Sequence, residues 1–324
     1  MLSQFSYQRA VTIKEAVDSA SRPEARILAG GTDLLGCLRD GVVGANRLVS
    51  LNGLAALKGI RQKQGGGLRI GALTTLSEIA EHRDVLQSYA VLAQAAASVG
   101  SPQLRNQGTV GGNLCQRPRC WYFRGDFKCR RKGGETCFAE TGDSQLHAIF
   151  GGGKCFMVHP SDTAAALVSL DAKASITGRR GTRVVPLGSF FVLPAESVER
   201  ETVLQPGEIV TEILLDPPQP GARSTYRKVR ERGAFDFAVA GAAIVVAIAE
   251  GKVRTARIVL SGVAPAPWRS AEAEKEIVGK ALDGAAISAA AAAAVKGAAP
   301  LADNGYKVPL VRGILEEVLA GLAA

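Results

Sequence analysis

The sequence predicts an α+β protein assembled from at least two compact units. Three observations carry this expectation. The chain has 324 residues, more than a single small core organises. Its first two hundred or so residues alternate short apolar strands, glycine turns and short helices. Its last hundred or so, beyond the proline-rich "PPQPGAR" at 217–223, begin as strands and end as helices. Apolar residues make up 47% of the chain and charged residues 21%, the balance of a folded protein.

The elements follow in order. "TIKEAVDSA" (12–20) reads as a short helix, with Thr12 and Glu15 at capping-box spacing. "ARILAGGTDLL" (25–35) is an apolar strand running into a Gly-Gly turn, and "NRLVSLNGL" (46–54) is a second strand ending in a turn. "GLRIGALTTLSEIAEH" (67–82) starts as a strand and continues as a helix, with Thr75 and Glu78 as a second box. "DVLQSYAVLAQAAASVG" (84–100) is expected as one helix, stopped by Gly100 and Pro102. "HPSDTAAALVSLDAKASITG" (159–178) reads as a helix and a strand, and "EIVTEILLDPP" (208–218) as a strand ended by its prolines. Residues 224–265 read as antiparallel strands joined at "EGK". The Ala-rich "GAAISAAAAAAVKGAA" (284–299) is a helix, since Ala has the highest helix propensity, and "LVRGILEEVLAGL" (310–322) is the last one.

Charge and apolar patterning exclude several classes. The longest apolar run, 237–249, is too short to span a bilayer and reads as a buried strand. The first residues lack the apolar core of a signal peptide. The net charge is +9, and part of the excess is local. Between Arg117 and Lys132 stand seven basic residues against one acid, Asp126. Such a stretch suits an anionic cofactor or an acidic partner. Nucleic acid is not expected, because no binding fold accompanies the charge.

Two glycine clusters are candidates for a nucleotide cradle. "LAGGTDLL" (28–35) places two glycines directly after a strand, and "RNQGTVGGNLC" (105–115) repeats the arrangement. Glycines there let the backbone approach a ligand and present consecutive N–H groups, as a pyrophosphate requires. An ordinary tight turn explains either cluster alone. Neither is the G-x-G-x-x-G of a Rossmann fold. "GGGK" (151–154) is not a P-loop, because Ala148 stands at the first glycine position and Cys155 follows the lysine.

The ordered set "LAGGTDLL", "IGALTT", "LRNQGTVGGNL", "HPSDTAAALVSLDA" and "YRKVRERGAFDFA" resembles the FAD-binding (medium) subunit of the molybdenum hydroxylases. That family includes xanthine dehydrogenase, aldehyde oxidoreductase and carbon monoxide dehydrogenase. The similarity covers essentially the whole chain. It implies a vanillyl-alcohol-oxidase (PCMH)-type FAD-binding module over 1–218, in two subdomains of about 1–60 and 61–218, followed by a C-terminal α+β domain over 224–324. It implies that Leu28, Ala29, Gly30, Gly31, Thr32, Asp33 and Leu34 wrap the pyrophosphate of FAD. It places Gly108, Thr109, Gly111, Gly112 and Asn113 against the flavin from the opposite side, and Thr74 near the phosphates. Asp162 would bind ribityl or adenosine hydroxyls, and Lys228 would stand at the flavin edge. The plainer alternatives are a helix N-cap for Asp162 and a solvated strand position for Lys228.

Five of the six cysteines crowd into residues 115–155. Most of the family lacks this insertion (115–156). From Cys120 the spacing is C-x8-C-x7-C-x17-C, through Cys129 and Cys137 to Cys155. This resembles the iron–sulfur loop of two family branches, the 4-hydroxybenzoyl-CoA reductase FAD subunit and the FAD subunit of bacterial periplasmic aldehyde oxidoreductase. "RCWYFRGDFKC" and "KCFMVHPSD" fit the second branch better. The resemblance implies a [4Fe–4S] cluster on Cys120, Cys129, Cys137 and Cys155, with Cys115 as an alternative to Cys120. Zinc, disulfides and free thiols compete. Zinc sites usually show short C-x2–4-C knuckles, and disulfides need an oxidising compartment.

The resemblance therefore implies an oxidoreductase subunit in a heterotrimer, or a dimer of it. Its partners would be a large molybdenum-cofactor chain that oxidises an aldehyde and a small [2Fe–2S] chain. An external acceptor such as a ferredoxin would complete the route. No acid/base pair for substrate chemistry is expected in this chain. The alternatives are a 4-hydroxybenzoyl-CoA reductase-like subunit and a stand-alone FAD oxidoreductase with a structural metal loop. The expected location is the periplasm, by co-export with a partner, or the cytoplasm.

Overall fold

The computed structural model describes residue 2 and residues 4–323. Three sheets organise them. In the first, β1 (Ser6–Arg9), β2 (Ala25–Leu28) and β3 (Arg47–Ser50) run parallel in the order β1-β3-β2. Parallel strands need a crossover, and helix Ile13–Ala20 lies in the one from β1 to β2. Thr12 caps that helix by accepting from the Glu15 backbone N–H at 3.1 Å. Glu15 does not complete the expected box; its carboxylate accepts from the Val11 backbone instead. β1, "SYQR", is polar and mostly exposed, so no apolar pattern announces it.

The second sheet is antiparallel. β4 (Ile60–Gln62), β5 (Leu68–Gly71), β6 (Lys173–Gly178), β7 (Gly181–Pro186) and β8 (Ile209–Leu215) stand in the order β4-β5-β8-β6-β7. β8 separates β5 from β6, so the chain between those two strands, with all its cysteine-rich residues, leaves this sheet and returns to it. Thr75 and Glu78 form both halves of their box at the start of helix Leu76–Glu81. The expected single helix over 84–100 is two, Arg83–Ser88 and Ala90–Ala97. The chain breaks at Tyr89 (φ −138°, ψ 49°). Burial explains the break: the Tyr89 hydroxyl donates to the Asp216 carbonyl at 2.9 Å and the Val91 N–H to Ser224 Oγ at 3.2 Å.

The third sheet, β9 (Ala222–Val229), β10 (Ala240–Ala249), β11 (Lys252–Ser261) and β12 (Trp268–Arg269), is antiparallel in the order β12-β11-β10-β9. The tight turn at "EGK" has φ of 52° at Glu250 and 70° at Gly251, the sense that matches strand twist in a two-residue hairpin. Residues 230–239 are a loop between β9 and β10, so the buried strand expected over 237–249 begins at Ala240, and Ala222 and Arg223 of the proline-rich stretch already belong to β9. Helices Ala271–Ile277, Gly284–Ala294 and Lys307–Ala323 cover one face. Tyr226, Ala243 and Val259 on the other face join the core of the second sheet, so a buried seam ties this part to the preceding one.

Candidate functional site

Both glycine clusters open onto one cavity of about 440 Å³. Residues 29–34 and 108–109 line it together with Gly111, Gly112 and Asn113. The two loops touch: a Cβ on Gly30 would stand 1.9 Å from the Gln107 carbonyl oxygen. Gly31 has φ +76°, a conformation that favours glycine. The second cluster is not simply a turn. Thr109 caps a short helix, Val110–Leu114, by accepting from the Gly112 N–H at 3.2 Å. Asn113 is fixed in turn, its Oδ1 accepting from the Ser161 hydroxyl and from Thr163 Oγ1 at 2.6 Å.

Asp162 and Lys228 meet in the wall of this cavity. Lys228 Nζ donates to Asp162 Oδ2 at 2.7 Å, with side chains 4% and 3% exposed. The Tyr226 hydroxyl donates to Asp162 Oδ1 at 2.6 Å. Burial pushes the Asp162 carboxyl up against the opposing pull of Lys228, and burial beside Asp162 pushes Tyr226 well above its ordinary value. Neither plainer alternative holds. Ser161, not Asp162, caps helix Asp162–Ser169, and Lys228 faces inward rather than into solvent.

Two expected residues stand outside the wall. Leu28 ends β2 and packs beside the small core of Leu38, Ala45 and Leu48. Thr74 is fully buried and its hydroxyl donates to the Gly59 carbonyl at 3.1 Å, whereas Ala72, Leu73 and Leu76 line the cavity. Asp33 lines the wall but its carboxylate is already engaged. It pairs with Arg124 at 2.7 Å and Arg119 at 3.0 Å, and accepts from the Arg117 N–H at 2.7 Å. Arg117, Arg119 and the loop residues Phe235, Asp236 and Phe237 also line the cavity and were missed as site residues. The "RERGAFDFA" string carried the signal for the last three.

The cysteines divide. Cys115 lines the large cavity. Cys120, Cys129, Cys137 and Cys155 line a second, small cavity of about 20 Å³, with Arg131, His147 and Met157. Turns build it. Gly133 takes φ +79°, and a Cβ on Gly134 would stand 1.8 Å from the Lys128 carbonyl oxygen, so the chain folds tightly back over Cys129. Cys120 Sγ lies 3.2 Å from His147 Nε2. Burial drives the His147 pKa down, to about 4, so the ring is neutral at pH 7. Burial also pushes the Cys120 thiol up, to about 11. Cys155 is lowered by its Cys137 neighbour and by the Arg131 charge. Among the described residues, no group of three or more His, Cys, Asp or Glu side chains is arranged to hold a metal ion. The thiols surround a cavity rather than a point.

Comparison with known proteins shows the family of the chain. The family model "FAD binding domain in molybdopterin dehydrogenase" matches residues 3–218, and "CO dehydrogenase flavoprotein C-terminal domain" matches residues 224–322. The chain is 38% identical to the aldehyde oxidoreductase FAD-binding subunit PaoB of Escherichia coli (strain K12) over 324 residues, 98% of each chain. It is 29% identical to the carbon monoxide dehydrogenase medium chain of Afipia carboxidovorans, over 93% of this chain and 88% of that one. A solved carbon monoxide dehydrogenase chain from Hydrogenophaga pseudoflava superposes with a TM-score of 0.80 at 26% identity, over 100% of both chains. The matches define the class, an oxidoreductase flavoprotein subunit. Within that class, the chain belongs to the FAD-binding medium subunits of the molybdenum hydroxylases. Among the described residues, no helix is long and apolar enough to cross a membrane.

Proposed function

We propose that this chain is the electron-transfer subunit of a molybdenum-dependent aldehyde oxidoreductase, holding FAD in the large cavity and a [4Fe–4S] cluster in the small one. The observation that carries the proposal is the division of the cysteines: four, at C-x8-C-x7-C-x17-C spacing, share one cavity, and the fifth does not. Four thiolates are the usual ligand set of such a cluster. The aldehyde branch is favoured by the 38% identity to an aldehyde oxidoreductase subunit.

Features of both cavities support this reading. The backbone of 29–34 and the Thr109–Asn113 turn offer close approach without side-chain bulk, as a pyrophosphate and a flat ring require. The Asp162–Lys228 pair offers a carboxylate and an ammonium in the same wall. FAD bound there would couple one-electron carriers to a two-electron acceptor. The cysteine cavity brings four sulfurs and a buried guanidinium together. Partner chains, by this proposal, carry the molybdenum cofactor and the [2Fe–2S] clusters, and a ferredoxin-like protein takes the electrons. Cys129→Ser tests the assignment. Iron should be lost while FAD stays bound and the fold persists. Iron retained at the wild-type level would overturn the cluster assignment, and wild-type protein with no affinity for FAD would overturn the flavin assignment.

A further inference from the structure

Arg131 lies between Cys129 and Cys137, on the short turn Arg130–Lys132. Its neighbours find partners on exposed surface: Arg130 donates to Glu140 at 2.9 Å and Lys132 to the Gly125 carbonyl at 2.6 Å. Arg131 turns inward. Its side chain is 1% exposed and lines the small cavity with the four cysteines. Nη1 donates to Glu201 Oε1 at 2.6 Å. Nε and Nη2 are buried without a hydrogen-bond partner among the described residues. Folded chains rarely leave buried donors unpaired, least of all on a charged group.

Glu201 keeps the guanidinium in place. Its carboxylate also accepts from Arg117 Nε at 3.0 Å, and the Arg117 backbone N–H donates to Asp33 at 2.7 Å. A chain of contacts thus runs from the wall of the large cavity to the wall of the small one. With Nη1 anchored on Glu201, the guanidinium lines a cavity ringed by the four cysteines, and its other two nitrogens are left to be satisfied. An anion rich in acceptors would complete them.

We propose that Arg131, oriented by Glu201, donates hydrogen bonds from Nε and Nη2 to sulfur atoms of the cluster and raises its reduction potential. This rests on the cluster assignment above and adds to it the group that tunes the cluster. Reduction adds one negative charge, and a fixed cation with N–H donors favours that more negative state. Arg131 touches the cluster; Glu201 is a positioning residue that acts through it.

The test is a dithionite titration of the reconstituted full-length chain, followed by electron paramagnetic resonance, for wild type, R131M, R131K and E201Q. R131M should shift the cluster midpoint negative by at least tenfold in the oxidised-to-reduced ratio at fixed potential, about 59 mV for a one-electron couple. R131K and E201Q should shift it less, in the same direction. A loaded variant lacking the Arg131 guanidinium that titrates at the wild-type midpoint would overturn the proposal. A second readout needs no variant to assemble. Wild-type protein grown on arginine labelled with 15N in the guanidino group should show a 15N coupling to the reduced cluster, and its absence would overturn the proposal. Wild-type protein without iron and sulfide sinks the cluster assignment itself, a result distinct from either.

Discussion

Asp162 and Lys228 are both enclosed, and each offsets the charge of the other. Removing one partner leaves an uncompensated buried charge. Lys228→Met should therefore destabilise the chain by about 3–5 kcal/mol, read as a lowered denaturant midpoint, and the D162N/K228M double variant should recover much of the loss. His159 supplies a pH dependence. Burial lowers its pKa from 6.5 to about 4. The unfolded chain then takes up its proton first as pH falls. The contribution of His159 is fully present above 6.5 and is lost between 6.5 and about 4, by roughly 3 kcal/mol at most. H159Q should lose this slope in stability measured from pH 7 to 4. Both members of the ion pair were legible as candidates in "HPSD" and "YRKVRER". Their contact was not. Tyr226 and Lys228 point to one face of β9 by strand alternation, but only the seam between the sheets sets Asp162 against that face.

At the scale of elements, the glycine loops explain why the cavity has its shape. Gly30 sits where a side chain would meet the Gln107 carbonyl, so Gly30→Ala should force the two loops apart. FAD released on denaturation should drop sharply relative to wild type, while far-ultraviolet circular dichroism changes little. The loop "LAGGTDLL" was legible because glycines after a strand are a local signal. The helix Val110–Leu114 was not. Its two glycines have poor helix propensity, and it forms because Thr109 caps it and because Gly111 packs close to Ala72, where a Cβ would stand at 2.9 Å. The break at Tyr89 is the opposite case. The local sequence favours one helix, and distant partners, Asp216 and Ser224, divide it.

At the scale of the molecule, the cysteine insertion is held by a part of the chain far away in sequence. Asp303 bonds Ser144, and both Asn304 and Lys307 donate to the His147 carbonyl, at 3.1 and 3.0 Å. Lys307 Nζ also donates to the Gly262 carbonyl at 2.7 Å, and burial lowers its pKa to about 7. With the cluster we propose in the small cavity, Lys307→Met should loosen this clamp and reduce iron loading, measured per chain, with FAD content unchanged. The insertion itself was legible, because five cysteines in so short a stretch demand a chemical reason. The clamp was not, since nothing near Lys307 in sequence points to His147. The most direct test of the proposed cofactors is the stoichiometry of anaerobically purified wild-type protein: iron, zinc, acid-labile sulfide and FAD per chain. A [4Fe–4S] cluster beside one FAD gives about four iron and four sulfide for each FAD. Zinc without sulfide, or FAD with no metal at all, would contradict the cluster assignment.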